Sequence, residues 1–184
     1  MKMLLHACCA PCSAQVVKEL QRDFTVTIFY FNDNIWPETE YEKRLAEVKR
    51  YYQKISVPLV VEPYNHQQWL NLVSGLESEP ERGSRCQICY QTRLALTGAK
   101  AQVLGFDYFA TAMSISPFKD VVLINQAGQK LAKNLMVKFF AADFKQNNGY
   151  QKSLVLSKQE GFYRQRYCGC EFSATRTPKP PKNK

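Results

Sequence analysis

The sequence predicts an α/β fold: a Rossmann-like parallel sheet with helices on both faces. Three observations support this prediction. Strand and helix patterns alternate through the N-terminal half; the segment FTVTIFYF at residues 24–31 is typical of a buried strand; and polar or cysteine residues follow the first two predicted strands directly. Because ligands of open α/β sheets lie beyond the carboxyl ends of the strands, we expect the functional site at that edge.

The N-terminal half contains five predicted elements. Residues 2–7 form a strand, 12–21 a helix, 24–31 a second strand, 38–54 an amphipathic helix and 57–61 a third strand. A β-α-β-α-β order implies parallel strands joined by right-handed crossovers.

The second half is less regular. Its predicted elements are a short helix at 65–73, a long helix at 84–104, a fourth strand at 108–113 and the start of a helix at 121–128. Residues 137–144 fit neither a strand nor a helix clearly.

Length and composition indicate one domain. With 184 residues and 45% hydrophobic content, the chain can bury a sizeable core. We therefore expect a single domain over residues 1–173, followed by a basic, proline-rich and disordered tail at 174–184.

No apolar run approaches the roughly 18 residues of a membrane span or resembles a signal sequence, so we expect a cytoplasmic protein without a membrane partner.

The chain is strongly basic, with a formal net charge of +9. Such a charge favours binding to polyanions, because contact with phosphates releases counterions. A basic protein without a nucleic-acid partner is an equally good interpretation of the charge alone.

The seven cysteines fall into three tight sets: Cys8, Cys9 and Cys12, then Cys86 and Cys89, then Cys168 and Cys170. The first two sets lie at predicted helix starts, where the helix dipole stabilises thiolates. In a reducing compartment, clustered cysteines indicate metal ligands or redox thiols. Two close pairs can form a four-thiolate site, for which an iron-sulfur cluster and a structural zinc ion are both candidates.

Two of the cysteine sets allow further interpretations. Cys9 and Cys12, separated by Ala-Pro, are also compatible with a thioredoxin-like thiol oxidoreductase. Cys168 and Cys170, separated by glycine, can form a strained and easily reduced disulfide or supply two more metal ligands.

Four segments resemble the QueH family of cobalamin-independent epoxyqueuosine reductases. They are LHACCAPC at 5–12, residues 34–41 with Asn34, Ile35, Pro37, Glu40 and Tyr41, residues 85–94 with RCQICY, and YCGC at 167–170. The resemblance implies a fold similar to the adenine nucleotide α-hydrolase group. It also implies reduction of epoxyqueuosine to queuosine in the anticodon loop of tRNA, the last step of queuosine biosynthesis, with electrons from an unidentified donor.

The resemblance also assigns site residues. It implies [4Fe-4S] ligands at Cys8, Cys9, Cys86 and Cys89, and a redox-active, catalytic disulfide at Cys168 and Cys170. Asp33 stands where the family pattern has proline. Spacing alone would pair Cys9 with Cys12, whereas the family pattern uses Cys8 and Cys9 and leaves Cys12 unassigned. We therefore expect a second metal, an iron ion, held by Cys12 and Asp33.

Other residues are candidates for protons and for tRNA. Asp33, Tyr167 and His6 are candidate proton donors to the epoxide oxygen, although Asp33 also suits a helix cap and His6 a core position. Trp36 is a candidate for base stacking, and phosphate contacts are expected from the arginines Arg44, Arg85, Arg93, Arg164 and Arg166. A zinc-stabilised tRNA-binding protein is the alternative function.

Overall fold

The computed structural model describes residues 1–174. The tail predicted to be disordered spans residues 174–184, so all of it except residue 174 lies outside the described residues. The described chain contains a five-stranded, all-parallel sheet in the order β3-β2-β1-β4-β5. Its strands are β1 (Lys2–His6), β2 (Thr25–Tyr30), β3 (Leu59–Val61), β4 (Tyr108–Thr111) and β5 (Lys138–Phe139). The predicted α/β fold is confirmed.

Seven helices connect and flank these strands within residues 1–174. They are α1 (Ala10–Leu20), α2 (Glu38–Lys54), α3 (His66–Leu72), α4 (Ser84–Val103), α5 (Val121–Ala132), α6 (Gly149–Gln159) and α7 (Glu171–Ala174). A 3₁₀ turn at Ala112–Ile115 follows β4. None of the described helices combines the length and apolarity that a membrane crossing needs.

The two faces of the sheet carry separate cores. In β1, Met3 and Leu5 pack with residues of α1, α2 and α6, whereas Leu4 packs on the other face with Leu94 of α4 and Ile124 of α5. Successive side chains of a strand point to opposite faces, so this alternation requires helices on both sides. The β1 side chains from Met3 to Leu5 are fully buried.

The strand order fixes the position of the site. The chain passes from β1 to β2 and β3 on one side, then returns to place β4 on the other side of β1. The carboxyl ends of β1 and β4 therefore flank a topological switch point, where a crevice opens. Cys8 and Cys9 directly follow β1 at this point.

Candidate metal and thiol centre

The first cysteine set forms a compact group at the start of α1. Cys9 is the N-cap residue and Pro11 lies in the first turn, a position that suits proline because its missing N–H has no helical partner there. The ligand atoms of Cys8, Cys9 and Cys12 lie within 4.8 Å of one another, and no other group of three or more potential metal ligands was found in residues 1–174. These three thiols could bind a metal ion.

Hydrogen bonds distribute protons unequally within this group. The Cys12 and Cys9 thiols lower the pKa of Cys8 well below its usual value, with further stabilisation from the Arg93 charge. Although its bond to Cys12 lowers the pKa of Cys9, the bond to Cys8 and burial raise it to about 12. Cys8 is therefore the thiolate of the set. The Gln165 side-chain amide donates a hydrogen bond to Cys9 Sγ at 3.0 Å.

The second set lies at the start of α4. The backbone N–H of Arg82 donates to Cys86 Sγ at 3.3 Å, which is a favourable contact for a thiolate. Cys89, one turn later, is buried beside Trp69 and Cys170. Cys86 and Cys89 are not within the 4.8 Å group formed by the first set.

Arg93 of α4 connects the three cysteine sets. Its side chain is 4% exposed, donates to the Asn34 side-chain oxygen, and makes no ion pair with a carboxylate of the described residues. Burial alone would lower the pKa of Arg93, but negative charge on Cys89, Cys8 and Cys168 outweighs burial and raises the pKa. Burial in turn raises the pKa of the Cys89 thiol. One buried cation thus lies within electrostatic reach of all three sets. Because an uncompensated buried charge is costly, anionic sulfur is its natural counterion.

A residue of α2 holds the Cys-Gly-Cys segment through hydrogen bonds to its backbone. Arg44, paired with Glu40 at 2.7 Å, donates to the carbonyl oxygens of Cys168 at 3.2 Å and Tyr167 at 3.3 Å. Gly169 has a φ of +108°, a conformation that side chains other than glycine rarely adopt. All seven cysteines, including Cys168 and Cys170, are free thiols in this structure.

The two thiols of this segment differ in acidity. Burial raises the pKa of Cys168, but the Lys119 charge, the Ser173 hydroxyl at 3.0 Å and the N–H of Cys170 outweigh it, so the pKa is lowered. Burial and the neighbouring Cys168 raise the pKa of Cys170 to about 12. Cys168 is therefore the more acidic thiol of the pair, and the more acidic thiol ionises first to the reactive form.

Lys119 is a site residue that the sequence did not reveal. Burial opposes its charge, but Cys168, Tyr90, Cys89 and Cys86 raise its pKa, so it remains protonated. It follows β4 in an ordinary turn, Pro-Phe-Lys-Asp, that carries no motif. Only the fold brings this turn beside cysteines from two other parts of the chain.

A cleft opens above these residues. Thiols from the first and third sets line it, together with Lys119, Arg164, Arg166, Tyr150 and Tyr167. Cys8, Cys12 and Cys168 thus face one common cavity.

Asp33 lies elsewhere. It lines a separate small cavity with Cys89 and Arg93, and its carboxylate accepts a hydrogen bond from the Asn65 backbone N–H at 2.9 Å. Burial raises the pKa of this carboxyl. Asp33 does not join Cys12 in a ligand group among the described residues.

The other candidate proton donors are already engaged. The ring nitrogens of His6 lie 2.9 Å from the Thr111 hydroxyl and 3.1 Å from the Phe31 carbonyl oxygen, and burial lowers the pKa of His6 to about 4. His6 is therefore a neutral core residue, as one of its two interpretations held. The Tyr167 hydroxyl donates to the Trp36 carbonyl oxygen.

Three of the arginines expected to contact phosphates are buried, which disfavours that role. Arg85 is 2% exposed and donates to the carbonyl oxygens of Leu76, Glu77 and Glu79. Arg93 and Arg44 are buried in the contacts described above. These guanidinium groups donate to other atoms of the protein and stabilise the loops around the site.

The remaining tRNA candidates lie at the surface. Arg164 and Arg166 are exposed and line the cleft. Trp36 is 45% exposed and adjoins the Cys-Gly-Cys segment through a backbone hydrogen bond to Gly169. Aromatic and cationic groups therefore surround the entrance to the thiols.

Comparisons with known proteins all indicate one family. The family model described as "Epoxyqueuosine reductase QueH" matches residues 3–176. Curated proteins named epoxyqueuosine reductase QueH are similar over nearly the whole chain. The Streptococcus pyogenes serotype M1 protein is 38% identical, over 94% of this chain and 70% of its own length, and the Histophilus somni protein 37%, over 97% and 74%. The Thermotoga maritima protein is 33% identical, over 93% and 89%.

Proposed function

The chain belongs to the QueH family of epoxyqueuosine reductases, which are oxidoreductases, and on that premise we propose that it reduces epoxyqueuosine to queuosine at the wobble position of tRNA. One structural observation carries the proposal furthest: Cys8, Cys12 and Cys168, from opposite ends of the chain, line one cleft, and Cys89 lines a neighbouring cavity with the buried Arg93. Gathered thiolates with cationic neighbours suit electron transfer better than they suit packing.

The thiol residues fit an iron-sulfur cluster chemically. Soft thiolates are the ligands such clusters require, and the positive charges of Arg93 and Lys119 offset the negative charge of a ligated cluster. We propose that Cys8, Cys9, Cys86 and Cys89 hold a [4Fe-4S] cluster. A bound cluster would supply electrons singly.

The choice of these four ligands rests on the family resemblance. The Cys12 sulfur lies within 4.8 Å of the Cys8 and Cys9 sulfurs, in the same group. Proximity alone therefore does not distinguish Cys12 from the proposed ligands. A second metal at Cys12 and Asp33 is not part of this proposal, because the two residues line different cavities.

The two thiols of the Cys-Gly-Cys segment balance the reaction. Conversion of an epoxide to an alkene consumes two electrons and two protons and releases water. Oxidation of one thiolate and one thiol to a disulfide releases two electrons and one proton, and a protonated side chain in the cleft supplies the second proton. We propose that Cys168 acts as the thiolate facing the cleft and that the buried Cys170 completes the disulfide. An external two-electron reductant then restores the dithiol.

Lys119 suits the epoxide oxygen. This oxygen becomes basic as its bond to carbon breaks, and a charged donor stabilises it. Lys119 lines the cleft with Cys168 and remains protonated there. It therefore replaces Asp33, Tyr167 and His6 as the proposed proton donor.

The cleft also suits a nucleotide of an anticodon loop. Arg164 and Arg166 supply positive charge at its wall, and Tyr150 and Tyr167 supply aromatic surface. Single-stranded RNA is bound by this combination of phosphate contacts and stacking of splayed bases. Trp36 lies close by as a further stacking surface.

Anaerobic conversion of tRNA tests the function. Purified protein is incubated with a chemical reductant and tRNA that carries epoxyqueuosine, and the nucleosides are analysed by mass spectrometry. Loss of one oxygen atom from the modified nucleoside supports the proposal. A colourless, zinc-containing protein that binds tRNA and leaves the nucleoside unchanged would instead be a zinc-stabilised tRNA-binding protein.

A further inference from the structure

Glu81 is the one carboxylate among the residues that line the cleft. The charged side chains around it are the cations Lys119, Arg164 and Arg166. None of the ion pairs among the described residues uses Glu81, and its side chain is exposed. The carboxylate is therefore available to a ligand.

The loop that carries Glu81 is fixed against the opposite wall of the cleft. The neighbouring Arg82 side chain donates to the carbonyl oxygens of Pro117 at 2.9 Å and Phe118 at 3.3 Å. Arg82 thus turns to the backbone and does not neutralise Glu81. The same loop leads directly into α4 at Ser84.

Glu81 and the Cys168 thiol line the same cleft. Its negative charge acts on Cys168 and opposes ionisation of that thiol. A carboxylate here also repels the phosphates of tRNA. Both effects are unfavourable for the proposed reaction, and a ligand that brings a cation to Glu81 would offset them.

Epoxyqueuosine carries such a cation. A secondary amine links its cyclopentane ring to the base, and this amine is protonated near neutral pH. It is attached to the ring carbon next to the epoxide. A group that binds the ammonium must therefore lie beside the group that reacts with the epoxide, which is the relationship of Glu81 to Cys168.

We propose that Glu81 binds the ammonium group of epoxyqueuosine and so selects the modified nucleotide over guanosine. The inference rests on the proposed function and deepens it. Arg164 and Arg166 attract any tRNA through its phosphates, which carry no information about the modification. Glu81 gains an ion pair only with the modified nucleotide and repels the unmodified one.

The test compares two tRNAs without reductant, so that no turnover occurs. The Kd is measured for tRNA with epoxyqueuosine and for the same tRNA with guanosine at that position. We expect the wild-type protein to prefer the modified tRNA by about threefold to tenfold. Glu81→Gln should lose this preference and bind the guanosine tRNA as tightly or more tightly, and Glu81→Asp should keep part of the preference.

Glu19→Gln is the matched control. Glu19 is exposed near the end of α1 and does not line the cleft. Glu19→Gln therefore removes one negative charge, as Glu81→Gln does, but away from the cleft. It should keep the wild-type preference. If Glu81→Gln keeps the preference, or weakens binding of both tRNAs equally, then Glu81 does not bind the ammonium group of epoxyqueuosine. If the wild-type protein neither converts nor prefers the modified tRNA, the proposed function itself fails, and this inference with it.

Discussion

The backbone N–H of Trp36 donates a 2.8 Å hydrogen bond to the carbonyl oxygen of Gly169. This contact joins the loop after β2 to the centre of the Cys-Gly-Cys segment. The Tyr167 hydroxyl returns a second bond to the carbonyl oxygen of Trp36. The backbone of Trp36 is thereby fixed beside the proposed redox pair, so that a candidate stacking residue adjoins the proposed chemistry.

Gly169→Ala should disrupt this arrangement. The residue has a φ of +108°, and an added Cβ would lie 2.8 Å from Ile35 Cγ1 and 3.0 Å from a terminal nitrogen of Arg44. We expect a loss of about 1–3 kcal/mol in the free energy of unfolding and a large loss of turnover. Gly105→Ala is the control, since Gly105 also has a positive φ but open space around it. Equal effects on turnover would show that backbone strain alone is responsible.

Two ion pairs on α2 should differ strongly in their importance. Arg44 and Glu40 are buried and support the Cys-Gly-Cys segment, whereas Arg50 is half exposed beside Glu47. Arg44→Met leaves a carboxylate without its partner and should cost about 3–5 kcal/mol in denaturant unfolding. Arg50→Met should cost under about 1 kcal/mol. Similar costs for both variants would contradict the supporting role of Arg44.

Removal of the Lys119 charge should make Cys168 less reactive. Lys119 lowers the pKa of this thiol, and only the thiolate is alkylated. Lys119→Gln should therefore slow alkylation of Cys168 several-fold at pH 8 in metal-free protein, measured by mass spectrometry of its peptide. Lys119→Arg retains the charge and should react nearly as fast as the wild-type protein. An unchanged alkylation rate in Lys119→Gln would show that Lys119 does not favour ionisation of the Cys168 thiol.

Arg164 and Arg166 should contribute to the salt dependence of tRNA binding. Each phosphate contact to a single strand adds about 0.7 to the slope of log K against log salt. Arg164→Gln and Arg166→Gln should each reduce the slope by about that amount, as measured by fluorescence anisotropy over a salt series. Arg22→Gln, an exposed residue away from the cleft, should leave the slope unchanged. An unchanged slope in both cleft variants would place the phosphate contacts elsewhere.

The sequence predicted the elements whose hydrophobic pattern is strong. The helix predicted at 38–54 matches α2, and the first two strands were placed to within a residue at each end. The last third of the chain was harder to predict because its helices and strands lack a clear hydrophobic pattern. The buried residues of α6 include Gly149, Ser153 and Ser157, which form no apolar stripe, and β5 has only two residues.

The candidate site was predictable where the sequence itself groups the residues. The compact Cys8, Cys9 and Cys12 group follows from a tight turn at a helix start. Lys119 and Glu81 were not predictable, because each stands alone in a loop and gains its role from neighbours distant in the chain. The burial of Arg85 was not predictable either, because its carbonyl partners belong to an irregular loop.

Serine variants should separate the proposed roles of the cysteines. Cys168→Ser and Cys170→Ser change the proposed redox pair and should retain an iron-sulfur spectrum while losing turnover. Cys12→Ser should also retain the spectrum if Cys8 and Cys9 are the ligands. Loss of iron in Cys12→Ser would show instead that Cys12 is a ligand, as its 4.8 Å group permits.

The central claim is that thiolates from distant segments hold one iron-sulfur centre, and metal analysis of Cys86→Ser tests it most directly. Iron, acid-labile sulfide and the visible spectrum are measured in wild-type and variant proteins purified without oxygen. We predict a brown wild-type protein with iron and sulfide in equal amounts, and loss of both in Cys86→Ser. A colourless wild-type protein, or a Cys86→Ser variant with undiminished iron and turnover, would contradict the claim.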